Sequence, residues 1–119
     1  MNIVLLRGRL SRPAELRVLP SGDPMVAYEV TIPRPEDRAD TVPVVWHAPP
    51  PAASTLDVDE EVVVVGRVVR RFFKTGGRTG SRTEVVAESV VPSRQRKRAR
   101  AALESALRRA EDDELAGTG

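Results

Sequence analysis

"VVVVGRVVRRFFKTGGRTGSRTEVV", residues 62–86, is the stretch whose reading decides the fold. It opens on four consecutive valines, β-branched residues that fill a pleated interior surface well. It then carries Arg70, Arg71, Phe72, Phe73 and Lys74 into a Gly-rich tip studded with arginine. We read one strand from about Glu61 to Phe73 and the next from about Ser81 to Val91, joined by the loop KTGGRTGSR. Side chains alternate along a strand. If Val64, Gly66 and Val68 point inward, Arg67, Arg71 and Phe73 project from the opposite side, and Phe72 belongs to the core.

Working outward, three more strands precede this pair. NIVLLRGRL (2–10) is β-rich and is followed by breaks and a turn at Ser21-Gly22-Asp23-Pro24. MVAYEVTI (25–32) alternates with period two, placing Val26, Tyr28, Val30 and Ile32 on one side. TVPVVWH (41–47) is the third strand, its Pro43 suited to an edge or a bulge. The prolines of APPPAASTLDVDE (48–60) speak against regular helix at its start. Five short strands punctuated by turns point to a small barrel or sandwich.

After Pro92 the composition changes. SRQRKRARAALESALRRAEDDEL (93–115) lacks Gly and Pro and can align Ala99, Leu103, Ala106, Leu107 and Ala110 on one face. A basic start and an acidic end oppose the helix dipole, so this helix needs a partner surface or is only partly formed. The closing AGTG is expected to be disordered.

The chain has 119 residues, enough for one modest core. It contains no cysteine, which excludes disulfides, thiolate metal sites and thiol nucleophiles. Neither a signal-peptide pattern nor a membrane-length apolar run is read, so the expected location is the cytoplasm, with no membrane partner. Seventeen of the nineteen basic residues are arginine, the side chain that forks onto phosphate and stacks on flat rings. Residues 1–92 hold twelve basic and twelve acidic groups, while 93–119 hold seven and five. Any cationic footprint in the first part must therefore come from arrangement.

In order along the chain, NIVLLRGRL with ELRVLPSG, VVW (44–46), VVVVGRV followed by an aromatic, and TEVVAESV resemble the bacterial single-stranded DNA-binding proteins. The resemblance implies an all-β, five-stranded OB-fold barrel over residues 1–92, with a charged helical tail and disordered end over 93–119. It implies sequence-nonspecific binding of single-stranded DNA in replication, recombination or repair, RNA remaining possible. It also implies a homodimer or homotetramer. Phe73 and Trp46 match stacking positions of the family. A non-specific binder interleaves rings with cations along a groove, a pattern supplied by Arg67, Arg71 and Lys74, with Arg78 and Arg82 in the Gly-rich loop. Arg7 and Arg9 face outward and either touch DNA or simply solvate the first strand. His47, without a second ligand nearby, is unremarkable.

Several features depart from the family. Pro13-Ala14 replaces its Asp-Pro, and the Pro-rich 48–60 segment stands where it has a helix. Two further aromatic positions fall near Arg34 and Asp40. AEDDELAGTG lacks the acidic Pro-Phe tip through which the family recruits partners, so that recruitment does not carry over. The alternative reading is an OB-fold accessory or protein-interaction module with reduced nucleic-acid binding. No catalytic constellation, metal site or cofactor motif is read.

Overall fold

The computed structural model describes residues 1–36 and 38–117. Six strands precede one helix: β1 Val4–Leu10, β2 Glu15–Val18, β3 Pro24–Pro33, β4 Ala39–His47, β5 Glu61–Thr75, β6 Arg78–Pro92 and α1 Arg96–Gly117. Five of the strands close a ring. β1 pairs with β5 from Val4 opposite Gly66 to Arg9 opposite Glu61, and β5 pairs with β6 along its whole length. β6 meets β4 in parallel at Val44/Val85 and Val45/Val86. β4 pairs with β3, whose Thr31 and Val30 return to Arg9 and Leu10 of β1. This is the five-stranded OB barrel with a C-terminal helix.

The alternation of apolar residues fills the interior as the sequence requires. Leu10, Val26, Val30, Val44, Val62 and Val64 are fully buried, and Tyr28 joins them. Its hydroxyl donates to the Ala53 carbonyl at 2.8 Å, and burial pushes its pKa up. Ala53 belongs to a 3₁₀ turn, Pro51–Thr55. The prolines that oppose regular helix are tolerated at the first positions of this single turn, where their missing N–H groups have no intrahelical partner anyway.

Two local readings need correction. ELRV lies within the stretch read as breaks and turns, yet Glu15–Val18 forms β2, pairing with β3 from Ala27 to Pro24. β2 continues the flank of β3 that β1 occupies at Arg9 and Leu10, so β1 and β2 act as one long strand interrupted around Pro13. The Gly-rich stretch is likewise not a loop. β5 runs to Thr75 and β6 starts at Arg78, leaving Gly76 and Gly77 alone at the tip with φ of 57° and 80°. Two positive φ values are what a two-residue type I′ hairpin turn demands.

The helix finds its partner surface on its own barrel. Ala99, Ala102 and Leu103 pack on Val63 of β5 and Val91 of β6, and Ala106 is fully buried. Leu107, expected in the same seam, is 53% exposed. The register of β5 with β6 passes from Val65/Ser89 to Gly66/Ala87, so Glu88 is an extra residue in a bulge. Its carboxylate reaches Arg109 of α1 at 2.7 Å. Of the terminal AGTG, Ala116 and Gly117 belong to the helix, and the disorder expected for residues 118 and 119 lies outside the described residues.

Candidate nucleic-acid interface

β1 leaves β5 at Gly66, and β4 leaves β6 at Val85. From Arg67 to Glu84 the hairpin therefore pairs only with itself and stands out from the barrel as an arm. Between Val62 and Thr83 the chain has Arg67, Arg70, Arg71, Lys74, Arg78 and Arg82 and no acid. Directly opposed residues of antiparallel strands share a face. One face thus presents the pairs Arg67/Val86, Val69/Glu84, Arg71/Arg82 and Phe73/Gly80, and the reverse presents Val68/Val85, Arg70/Thr83, Phe72/Ser81 and Lys74/Thr79.

On the first face the Phe73 ring lies over Gly80. A Cβ at position 80 would come within 2.6 Å of the ring, so the missing side chain is what lets the ring lie flat on the neighbouring strand. Phe73 remains 49% exposed. Beside it two guanidinium-bearing residues, Arg71 and Arg82, stand directly opposite each other, an arrangement that disfavours folding unless an anion lies between or near them. Arg71 is partly compensated: its Nε donates to the buried carboxylate of Glu84, and its Nη2 donates to His47 Nε2 at 3.3 Å.

The face continues onto the barrel. Met25, Val45 and Val86 form an apolar floor against which Leu19 and Val69 pack. Arg82 reaches a cleft of about 140 Å³ that also takes in Ala27, Pro43, and the paired charges Arg12–Glu29 and Arg17–Glu15. Arg17 donates to Glu15 at 3.1 Å, a bond that holds the Glu15 carboxyl below its ordinary range. A ring, a shallow apolar floor and spaced guanidiniums make a surface for an unpaired polyanion with flat bases.

Of the residues singled out in the sequence, Arg67, Arg71, Phe73 and Arg82 share this face, with Lys74 and Arg78 at the hairpin tip. Trp46 is not among them. It alternates with Val45 and His47, packs half-buried against the barrel core, and borders a cavity of about 70 Å³ with Pro50, Leu56 and Arg98. Its ring and that of Phe73 are on opposite sides of the sheet. Arg7 and Arg9 lie beside the start of β5, both bound to Glu61, the first at 2.9 Å. The hydrogen bond from Arg7 holds the Glu61 carboxyl below its ordinary range. Ten residues of strand, about 33 Å, separate Val63, the residue opposite Arg7, from Phe73, and Arg9 lies two residues farther back.

Phe72 requires a correction. Expected in the core, it is 69% exposed, and Val68 is exposed with it, because the strand has left the barrel by Arg67 and no interior remains for the inward parity to face. Sequence reasoning also passed over His47 and Arg17. His47 shares the parity of Val45, a signal that strand alternation contained. Arg17 was hidden by the reading of its strand as turn.

No family profile matches the chain. It is similar to Single-stranded DNA-binding protein 3 of Listeria innocua serovar 6a, at 38% identity over 99 residues, covering 76% of this chain and 62% of that relative. The single-stranded DNA-binding protein of Oceanobacillus iheyensis is 34% identical over 99 residues with the same coverage. The chain thus spans less than two thirds of the length of these relatives.

Proposed function

Because the chain is a divergent relative of the bacterial single-stranded DNA-binding proteins, we propose that it binds single-stranded DNA without base specificity and without chemistry. The site is the arm face carrying Phe73, Arg71 and Arg82, together with the floor of Met25, Val45 and Val86. The observation that carries this reading is the opposed pair Arg71/Arg82 next to a ring laid over Gly80, in a run with no acid from Val62 to Thr83. Bound strands would be held during replication, recombination or repair in the cytoplasm. Among the described residues no helix is long and apolar enough to cross a membrane.

Self-association as a homodimer or homotetramer belongs to the same proposal. Supporting it, β1 from Val4 to Gly8 pairs with β5 on one side, while its pairing with β3 begins only at Arg9. Such a strand edge can accept a second chain, and light scattering reports the mass.

Anisotropy of labelled oligo-dT, oligo-U and duplex DNA tests the function. Binding of oligo-dT should fall with salt at a log-log slope of about 3 in magnitude, roughly 0.7 for each of four or five engaged cations. Stacking does not read the 2′-hydroxyl, so oligo-U should bind too, and the ratio of the two affinities measures the sugar preference. Equal affinity for duplex, or indifference to salt, overturns the reading.

A further inference from the structure

We propose that the reverse face of the arm is a second stacking surface, so that a sufficiently long single strand passes round the edge of the hairpin and engages Phe72 as well as Phe73. This rests on the reading of the chain as a single-strand binder.

Three observations carry it. Phe72 is 69% exposed, more than Phe73, on a face that the barrel covers only at its base, where Val85 is buried. The ring is also prearranged: the Arg70 guanidinium lies over it at 5.4 Å from the centroid, and Arg70 Nη2 is held by Ser81 Oγ at 3.0 Å. A cation fixed against a ring gives a phosphate and a base adjacent partners. Finally, the pairs of the reverse face contain no acid, whereas the front carries Glu84. Arg70 and Lys74 flank Phe72 on it, so its charge suits the same polyanion, and it is continuous with the first face around either free edge of the hairpin.

The reverse track has a boundary. Asn2 bonds the backbone of Val68 at the base of the arm, and Asn2 shares a cavity with Asp112 and Asp113 of α1. Glu88 lines the same cavity and is paired with Arg109, so the two aspartates are left in excess there and repel phosphates, which confines the second surface to Arg70–Lys74.

The experiment compares the full chain with Phe72→Ala and Phe72→Leu on oligo-dT of about 8 and about 30 nucleotides, the first within and the second beyond what one OB fold engages. Melting curves and light scattering run alongside. Both variants should melt normally and keep their mass. Phe72→Ala should bind the long oligonucleotide about 5- to 150-fold more weakly, the range found when a stacked ring is truncated, and the short one unchanged. Phe72→Leu, which keeps apolar bulk without a π-face, should behave like Phe72→Ala. Long-strand binding equal to the unmodified chain overturns the proposal, and so does a fall in mass, which would assign the ring to contact between copies. If the unmodified chain binds no oligo-dT at all, the function proposed above fails and this inference falls with it. A binding chain indifferent to Phe72 defeats the inference alone.

Discussion

Val62 to Gly66 and Arg67 to Thr75 are successive halves of one strand under opposite constraints. The first half is buried on both faces: Val62 and Val64 enter the barrel, and Val63 lies beneath Ala99 and Leu103 of α1. Around it the charges are matched, as in Arg7–Glu61, Arg94–Glu60 and Arg109–Glu88. In the second half only Val69 still packs on the barrel, the residues beyond it have solvent on both faces, and among the described residues only Arg71 has an acidic partner there, Glu84. A strand that extends past its barrel gains no core packing from its side chains, so their identities are left to whatever binds them. Here those positions carry unbalanced charge beside exposed rings.

Substitutions at equal chemical cost should therefore read out differently in the two halves. Gly66→Ala should do the most damage, because a Cβ there would sit 2.2 Å from the Val86 carbonyl oxygen and 3.0 Å from the Ala87 backbone. Neither strand can give way without opening the barrel at its bulge. We expect a loss of about 3 kcal/mol or more in urea unfolding, at the upper end of overpacking effects. Phe72→Ala removes far more atoms and should stay within about 0.5 kcal/mol of the parent. Comparable losses for the two would erase the distinction between body and arm.

Phe73→Ala inverts the pattern: stability within about 0.5 kcal/mol, and single-strand binding weaker by about 1 to 3 kcal/mol in an oligo-dT titration. Gly80→Ala sharpens the point, since it keeps the ring but forces it off the strand. Its affinity should lie between those of the parent and Phe73→Ala. Parent-like binding by Gly80→Ala would show that the ring works without its resting place.

These halves also explain what was legible in the sequence. Period-two alternation found the interior wherever strands have an inside and an outside, which is why Val26, Tyr28, Val30 and Val64 are buried as read. Past Arg67 the rule still sorts side chains to two faces but no longer says that one of them is interior, and there it misplaced Phe72 and Val68. β2 escaped for a related reason: all four of its residues are exposed, so no apolar pattern marks it. Arg67, Arg71 and Phe73 could be brought together from parity, whereas Arg82, read as part of a loop, joins them only through the register of the hairpin. The placement of Trp46 turned on one residue of register, Val45 and His47 facing the groove and Trp46 the core.

Glu84→Gln tests the one compensated cation of the arm. Glu84 is buried and its carboxylate accepts from Arg71. The amide preserves shape but weakens the bond, so stability should fall by about 1 kcal/mol. Arg71 then has no carboxylate competing with phosphate, and the salt slope for oligo-dT should steepen by about 0.7. A stability loss without any change of slope would make Arg71 a structural residue only.

The smallest effect is expected from the helix, whose direction sets the sign. α1 lies along β5 with its basic start near Val63, and its acidic end shares the cavity of Asn2, at the base of the arm. Arg96 and Arg100 line a groove of about 350 Å³ with Arg7, far from Phe73 along the strand. We propose that this tail extends the footprint for long strands only. Deleting 93–119 would uncover Val63 and Val91 and confound binding with unfolding, so charge must be altered with the seam kept. The triple change Arg96→Gln, Lys97→Gln, Arg100→Gln should weaken a 30-nucleotide oligo-dT a few-fold, lower its slope by up to about 2, and leave an 8-nucleotide one alone. Asp112→Asn with Asp113→Asn removes repulsion at the base of the arm and should strengthen binding of the long strand by a similar small factor. Should the basic changes strengthen binding instead, the helix holds DNA off the barrel, and its two charged ends have the reverse of the roles assigned to them.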